Sequence, residues 1–293
     1  MSATPGFDVI VCGSLHLDIV VHAKALPRID ETAIGSAWKQ VCGGKGGNQA
    51  VQAARAGART AMIGRVGRDG FGETLLANLA AAGVDVTAVA VDGDAGSGMS
   101  VAILQDDGDY GAVIVSGSNL RMAAAGLAAQ WQALGGARVL VLQNEVPHEA
   151  NVAMAKAARE AGAIVVLNAA PARDPGPDLL GHVDLLIVNR VEAEALSGVA
   201  VRSRAEAVAA LSGWKGAEAI VITLGGDGLV LRDSLGAITE MAPIPVKVTS
   251  THGAGDCLVG VLAAHLARGH GLAESCAAAN AAAAAFVSRP PEP

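Results

Sequence analysis

The sequence predicts an α/β fold with a doubly wound, mostly parallel central sheet, helices on both faces and a small β-sheet lid. Apolar residues make up 52% of the 293 residues and charged residues 17%, a composition typical of buried parallel strands under alanine-rich helices. Short β-branched runs also alternate with helical segments, which implies parallel βαβ units. Because the chain has no repeat and no linker, we expect one domain over residues 1–293, with lid strands inserted at about 18–41 and 98–116.

The first elements lead from a buried strand to a helix that begins in a glycine cluster. The β-branched run 7–13 (FDVIVCG) predicts a buried strand whose carboxyl end feeds a loop, the edge where α/β folds bind ligands. Less apolar stretches at 18–22 and 31–41 predict exposed strands of a flap. A helix is predicted from Gly46, with Gly57 as its C-cap.

Strands and helices alternate through the rest of the chain. The predicted strands are 60–64, 138–142, 163–167, 183–188 and 219–224, and the predicted helices are 70–82, 147–161, 192–196, 204–211, 257–267 and 274–287. The segments 98–104 and 110–116 flank the polar turn 105–109 (QDDGD) and predict an inserted hairpin, which we expect to pair with the flap strands.

Charge and aromatic content argue against nucleic acid as a partner. The chain has 21 basic and 28 acidic residues, a net charge of −7, which is the wrong sign for binding a phosphate backbone. Three Phe, three Trp and one Tyr provide no stacking platform for single strands. Local nucleotide binding remains open, because it relies on backbone N–H groups and helix ends.

No feature of the sequence indicates a membrane or an oxidising compartment. No apolar run reaches the ~20 residues of a membrane-spanning helix, and no signal segment opens the chain, so we expect a cytoplasmic protein. The four cysteines lie singly, without C-x-x-C spacing, so we expect reduced thiols rather than a zinc site or disulfides.

The segment 251–256 (THGAGD) places a carboxylate beside exposed backbone donors. Small residues let several N–H groups converge on an anion at a helix start, where the helix dipole is also favourable. Asp256 is placed there to accept a proton from an attacking hydroxyl during phosphoryl transfer. On residue chemistry alone, a glycine-rich turn with an aspartate capping a buried helix is an equal alternative.

A second glycine cluster lies at 43–48 (GGKGGN). It lacks the G-x-x-x-x-G-K-[ST] spacing and is therefore not a Walker-type P-loop. Its glycines favour close backbone approach to a hydroxylated ligand, with Lys45 and Asn48 as hydrogen-bond donors. The alternative is a mobile loop with one solvated lysine.

Both clusters resemble signatures of a known family. The segment 42–50 (CGGKGGNQA) resembles the amino-terminal signature of the ribokinase (PfkB) family of carbohydrate kinases, and 250–256 (STHGAGD) is similar to the carboxy-terminal one. Further similar segments lie in the expected order, at 13–18, 142–149 (LQNEVPHE), 168–173 (NAAPAR), 189–194 (NRVEAE) and 222–228 (ITLGGDG). The resemblance covers nearly the whole chain and implies a ribokinase-like fold and an ATP-dependent sugar kinase that uses Mg²⁺.

The resemblance also implies roles for individual residues. Asp256 matches the catalytic base, and Gly253, Ala254 and Gly255 match the anion hole. The sugar-contacting positions correspond to His16, Asp18, Gly43, Gly44, Lys45, Asn48, Glu145 and Asp256. The nucleotide positions correspond to Asn189, Thr223, Gly225, Gly228, Gly255 and Asn280. Asn189 and Glu192 match the N-x-x-E motif that helps hold Mg²⁺, although the same spacing is more often a helix-capping feature.

Two departures from the family pattern bear on specificity. His16 stands where the family usually carries Asn, so we expect the sugar preference to differ from strict ribose specificity. Ser250 replaces the Asp that usually opens the second signature, and the sequence ends at Pro293, before the family's usual extension. We therefore expect K⁺ activation to be weak or absent.

Several alternatives stay open at this point. The acceptor is ribose, another furanose or keto sugar such as fructose, or a nucleoside, each phosphorylated on a primary hydroxyl. A catalytically silent sugar-binding regulator is a rival, and a dehydrogenase is disfavoured because no G-x-G-x-x-G follows the first strand. Family members use the flap as a lid that often dimerises, so we expect a homodimer, and the alternative is a decorated sheet edge.

Overall fold

A computed structural model describes residues 6–105, 109–214 and 216–289. The strands are β1 (Phe7–Cys12), β2 (His16–Ala23), β3 (Gly35–Gly43), β4 (Thr60–Gly67), β5 (Asp85–Asp92), β6 (Gly98–Gln105), β7 (Tyr110–Val115), β8 (Ala137–Gln143), β9 (Ile164–Asn168), β10 (Leu185–Asn189), β11 (Ala219–Thr223), β12 (Leu229–Arg232) and β13 (Ile238–Met241). The α-helices are α1 (Lys45–Arg55), α2 (Gly70–Ala81), α3 (Leu127–Ala133), α4 (His148–Glu160), α5 (Gly176–Leu180), α6 (Arg190–Ser197), α7 (Arg204–Gly213), α8 (Ala254–Ala267) and α9 (Leu272–Val287).

The central sheet has nine strands in the order β13-β12-β11-β10-β9-β8-β1-β4-β5. The strands from β11 through β5 in this order pair in parallel, whereas β12 and β13 add an antiparallel edge. The chain builds outward from β1 in one direction through β4 and β5, then in the other through β8. The order therefore reverses between β1 and β8, the point where doubly wound sheets bind ligands beyond the carboxyl ends of their strands.

Helices cover both faces of this sheet, which confirms the predicted doubly wound architecture. On one face, α3 to α7 pack over strand residues such as Ile10 and Leu140. On the other face, α1, α2, α8 and α9 pack over Val9, Val11 and Val139. Successive strand side chains point to opposite faces, so a strand buried on both sides is a continuous apolar run, as in β1.

The four remaining strands form a separate small sheet in the order β3-β2-β6-β7. The β2–β3 and β6–β7 pairs are antiparallel, and β2 pairs with β6 in parallel over eight residues. The predicted pairing of the inserted hairpin with the earlier exposed strands is thus confirmed. Residues 106–108 of the predicted hairpin turn lie outside the described residues.

Some elements carried no clear sequence signal. Five elements of the structure have no counterpart among the predicted ones: β5, α3, α5, β12 and β13, which are edge strands or short elements. The cysteines of the described chain are free, and three of them are buried, whereas Cys42 is partly exposed. No helix among the described residues is long and apolar enough to cross a membrane.

Candidate active site

Asp256 lies in the first turn of α8, three residues after the glycine at which the helix begins. Gly253 is the N-cap residue and has φ = 79°, a left-handed conformation that favours glycine over other residues. Ala254, Gly255 and Asp256 follow as the first three helical residues, where backbone N–H groups have no partner within the helix. The Asp256 side chain is only 8% exposed. The segment thus combines a buried carboxylate with an N–H-rich helix end.

The first glycine cluster delivers two amide donors to this carboxylate. Gly43 ends β3, and Gly44 is the N-cap residue of α1. Asn48 Nδ2 donates to Asp256 Oδ2 at 3.0 Å, and Gln49 Nε2 donates to Oδ1 at 3.0 Å. The two clusters, 208 positions apart in the chain at this contact, therefore form one site.

The surroundings of Asp256 determine the direction in which its pKa is shifted. Burial raises the pKa of Asp256, and the nearby negative charge of Glu145 acts in the same direction. The positive charge of Lys45 and the hydrogen bonds from Asn48 and Gln49 oppose this rise, without cancelling it. A carboxylate with a raised pKa is a stronger base than an exposed aspartate once it is ionised.

Glu145 ties three chain segments together at the reversal point of the sheet. It follows β8, and its Oε2 accepts hydrogen bonds from Ser14 Oγ and from the backbone N–H of Lys45, the latter at 2.9 Å. Ser14 belongs to the connection after β1, and Lys45 opens α1. His16 Nδ1 lies 3.9 Å from the same Glu145 oxygen, and His16 Nε2 is buried with no hydrogen-bond partner among the described residues. These side chains line one end of the site.

Asp18 reaches the site from the small sheet. It pairs with Val41 on one side and with Ser100 on the other, and Ser100 Oγ donates to Asp18 Oδ1. A Cβ on Gly43 would lie 2.3 Å from Asp18 Oδ2, so a larger residue would force this carboxylate to move. Strand register thus brings His16 and Asp18 to the face that also carries Gly43.

The predicted nucleotide and metal residues lie at the carboxyl ends of two neighbouring strands. Asn189 ends β10 and pairs with Thr223, which ends β11. Asn189 and Glu192 form a capping box at the start of α6: Glu192 N–H donates to Asn189 Oδ1 at 2.9 Å, and Asn189 N–H donates to Glu192 Oε2 at 2.8 Å. The capping interpretation of this spacing is therefore correct for the polypeptide on its own, and a metal role would have to coexist with it.

Glu192 is a buried carboxylate near the charges of Asp256 and Lys45. Burial raises the pKa of Glu192, with the negative charge of Asp256 adding to the rise, while Lys45 and the Asn189 hydrogen bonds oppose it. No group of three or more His, Cys, Asp or Glu within the described residues forms a ready metal cage. Mg²⁺ is commonly held by one or two carboxylates with waters and phosphates completing its shell, so a single buried carboxylate here fits that ion.

The loop after β11 and helix α9 hold the other predicted nucleotide residues. Gly225 and Gly228 bracket a short 3₁₀ turn, with φ of 59° and 84° respectively. Thr223 Oγ1 donates to Val188 O at 3.5 Å. Asn280 Nδ2 donates to Ala242 O at 3.1 Å, so it fixes α9 to the segment after β13 and has no hydrogen bond to the residues around Asp256.

Nearly the whole chain matches one family. The model described as pfkB family carbohydrate kinase matches residues 7–291. The chain belongs to the pfkB family of carbohydrate kinases. It is thus a phosphotransferase with an alcohol group as acceptor, which confirms the class inferred from the two signatures.

Relatives of this pfkB-family kinase are similar over most of their length. A ribokinase from Mus musculus is 34% identical over 263 residues, covering 88% of this chain and 81% of the relative. A ribokinase from Lactococcus lactis subsp. lactis is 32% identical over 269 residues, covering 91% and 86% respectively. The structure of Arabidopsis thaliana ribokinase complexed with ribose and ATP matches with a TM-score of 0.89 and 28% identity, over 97% of this chain and 93% of that one.

Sequence reasoning missed a set of buried polar residues of this pfkB-family kinase. Gln49 donates to Asp256 and to Asn168 Oδ1, and it accepts from Gln143 Nε2 at 2.7 Å. Ser14 was missed as a partner of Glu145. Ser14, Gln49, Gln143 and Asn168 all lie inside segments that resemble the family. The resemblance of those segments was the available signal, but it gave no role to these individual residues.

Proposed function

We propose that this kinase transfers the γ-phosphoryl group of ATP to a primary hydroxyl of ribose or a related sugar, with Asp256 as general base. The observation that carries the proposal is the junction of the two glycine clusters. The buried carboxylate of Asp256, at the start of α8, receives hydrogen bonds from Asn48 and Gln49 near the glycine-rich start of α1. A base that acts between a sugar and a nucleotide has to lie where the two binding segments meet. The ribose and ATP complex of the Arabidopsis relative supports both substrates.

The proposed step moves one proton and one phosphoryl group. Asp256 removes the hydroxyl proton as the sugar oxygen attacks the γ-phosphorus, the bond from that phosphorus to the β-bridging oxygen breaks, and ADP leaves. The N–H groups at the start of α8 stabilise the charge that develops on the transferred group. In this proposal Glu145, His16 and Asp18 hold the sugar hydroxyls, which aligns the attacking oxygen.

We assign the metal role to Asn189 and Glu192 at the start of α6. Mg²⁺ bound with ATP would offset negative charge on the phosphates. Within this chain, Glu192 keeps its capping hydrogen bond through Oε2, which leaves Oε1 for water or a cation. The K⁺ response stays a prediction: Ser250 has a single uncharged oxygen, which accepts from His252 N–H at 3.3 Å. Cytoplasmic residence also stays a prediction.

His16 favours a substrate other than ribose as the second candidate. Within the described part of the chain its Nε2 is buried and has no hydrogen-bond partner, and an unpaired buried polar atom is costly unless a ligand satisfies it. An imidazole is also larger than the usual amide at this position. Another furanose or keto sugar such as fructose, or a nucleoside, is therefore the alternative acceptor.

A homodimer through the small sheet is the proposed assembly. Strand register places Ile19, Val21, Trp38, Val101, Ile103 and Val113 on one face of this sheet, the face opposite Asp18. Trp38 is 66% exposed and Val113 is 69% exposed. An apolar sheet face that the described residues leave uncovered is typical of an interface, and a second copy of this chain is the proposed occupant.

An ADP-release screen over pentoses, hexoses and nucleosides tests the proposed function. We expect ATP-dependent ADP release with ribose or a related sugar, slower by roughly 10²–10⁴-fold when Asp256 is replaced by Asn. If none of the tested acceptors gave ADP release, the silent sugar-binding regulator would be supported instead. Release that is unaffected by Asp256→Asn would remove the assigned base while leaving a kinase.

A further inference from the structure

The carboxylate of Asp256 is anchored by a chain of buried amides. Gln49 is fully buried, and its Nε2 donates to Asp256 Oδ1 and to Asn168 Oδ1, both at 3.0 Å. Its Oε1 accepts from Gln143 Nε2 at 2.7 Å, and Gln143 is also fully buried. Asn168 Nδ2 continues to Ile187 O at 3.2 Å. The network joins the carboxyl ends of β8 and β9 to α1 and α8.

The direction of this chain is fixed by the carboxylate. An ionised Asp256 only accepts hydrogen bonds, so the NH₂ group of Gln49 has to face it. Gln49 Oε1 then faces Gln143, which has to present its own NH₂ group. Turning either amide over would set two acceptors against each other in a buried site, so each amide is held in one orientation.

The two oxygens of Asp256 have different partners. Oδ1 is held by Gln49, which is enclosed and belongs to the amide chain. Oδ2 is held by Asn48, which is partly exposed and matches a sugar-contacting position. A partly exposed amide can exchange its partner when a hydroxyl arrives, whereas the enclosed one cannot. Oδ2 is therefore the oxygen available to a substrate.

We propose that Gln49 is a positioning residue: it fixes Oδ1 of Asp256 so that Oδ2 faces the acceptor hydroxyl. The inference rests on the proposed role of Asp256 as general base. Gln49 does not touch the substrate and acts only through the carboxylate. Its hydrogen bond also favours the ionised form of Asp256, the form that accepts the proton.

Other charged groups near Asp256 have to be held constant in a test. Lys45 of α1 interacts with the carboxylate favourably, whereas Glu145 after β8 interacts unfavourably. Glu192 of α6 and the neighbouring thiol of Cys257 also interact with its charge. A neutral replacement of Gln49 leaves all four groups unchanged, so a shift in the pH profile reports the lost hydrogen bond.

The test is the pH dependence of kcat for Gln49→Met. A methionine side chain has nearly the same size as glutamine and has no hydrogen-bond donor. We expect kcat to fall on the order of 10²-fold because the base loses its fixed orientation, with a smaller change in KM for the sugar. The acid limb of the kcat profile is expected to move to higher pH. Gln143→Met, which removes only the group that orients Gln49, is expected to give a smaller effect in the same direction.

Asn151→Leu is the matched control. Asn151 is a fully buried amide whose Nδ2 donates to the backbone oxygen of Gln143 at 2.7 Å, and it has no bond to Gln49 or Asp256. We expect its melting temperature to fall while the acid limb stays at the wild-type pH. An unshifted acid limb in both Gln variants, or an equal shift in Asn151→Leu, would overturn the inference.

Two further outcomes separate this inference from the proposed function. If Gln49→Met does not fold, Gln143→Met carries the same comparison of acid limbs. If wild type is active and Asp256→Asn is inactive while the Gln variants behave like the control, only the positioning role is lost. If Asp256→Asn keeps full turnover, the proposed function itself fails.

Discussion

Asp256 is the residue to which we assign the proton transfer of this kinase. Its carboxylate is buried, and burial raises its pKa even though Lys45 and two amides stabilise the charged form. The glycine context and the carboxylate were evident in the sequence. The amide chain behind it was not, because Gln49, Gln143 and Asn168 lie far apart in the chain and single amides have no sequence pattern of their own.

The raised pKa of Asp256 predicts an acid limb in the activity profile. A general base has to be ionised, so turnover falls as the pH decreases through its pKa. Because burial raises that pKa, we expect the limb at a higher pH than the titration of an exposed aspartate, which is about 3.9. The measurement is kcat against pH at saturating sugar and ATP, with circular dichroism confirming that the protein stays folded. A kcat that stays constant down to the pKa of an exposed aspartate would contradict the assignment of Asp256 as general base.

His16 is predicted to control the choice of sugar. In His16→Asn, the buried unpartnered imidazole is replaced by the amide usual in the family, so we expect the preference for ribose over other acceptors, as kcat/KM, to rise by about tenfold. His22→Asn is the matched control, because His22 lies on the same strand and the same face but is exposed. Equal preferences in His16→Asn and wild type would rule out this role.

At the scale of elements, the site depends on the close approach of α1 and α8. A Cβ on Gly260 of α8 would lie 2.5 Å from Gln49 O and 2.7 Å from Gln52 Cβ, so glycine is required where the helices touch. This contact sets the distance between Asp256 and its two amide donors. The sequence predicted both helices, but the position of their contact depends on how the sheet spaces them.

Gly260→Ala is therefore predicted to damage both stability and activity. We expect about 1–3 kcal/mol of lost stability from the overpacked helix contact, with a fall in kcat as α8 moves away from α1. Gly70→Ala, in the first turn of α2, is the control because nothing lies within 4 Å of a Cβ there. Urea unfolding and ADP release would be measured on both. Identical behaviour of the two variants would argue against this helix contact as a determinant of the site.

Four of the five elements that the sequence did not predict were missed for one of two physical reasons. β12 and β13 are four residues long, and α5 has five residues. None of them is long enough to show a repeating pattern of apolar residues. β5 lies at an edge of the sheet and carries Asp85, Thr87 and Asp92, so it lacks the continuous apolar run of a buried strand. The central strands were predictable because both of their faces are buried.

At the scale of the whole molecule, the small sheet determines the predicted assembly. The pairing register between the strands forms its apolar outer face. The sequence alone could predict only that these strands are exposed. We expect a dimer in sedimentation equilibrium that Val113→Lys dissociates, because a lysine would be buried in an apolar interface. Leu235→Lys, on a loop of the central sheet and 92% exposed, should leave the dimer intact. A wild-type monomer at every concentration tested would contradict the dimer.

The central claim is that one carboxylate, brought to the glycine-rich start of α1 from 208 positions further along the chain, performs the proton transfer. The most direct test is ADP release with ribose and ATP by wild type and Asp256→Asn, with sugar binding followed by calorimetry. The account predicts a kcat lower by roughly 10²–10⁴-fold and nearly unchanged sugar binding. Wild-type turnover in Asp256→Asn would contradict it.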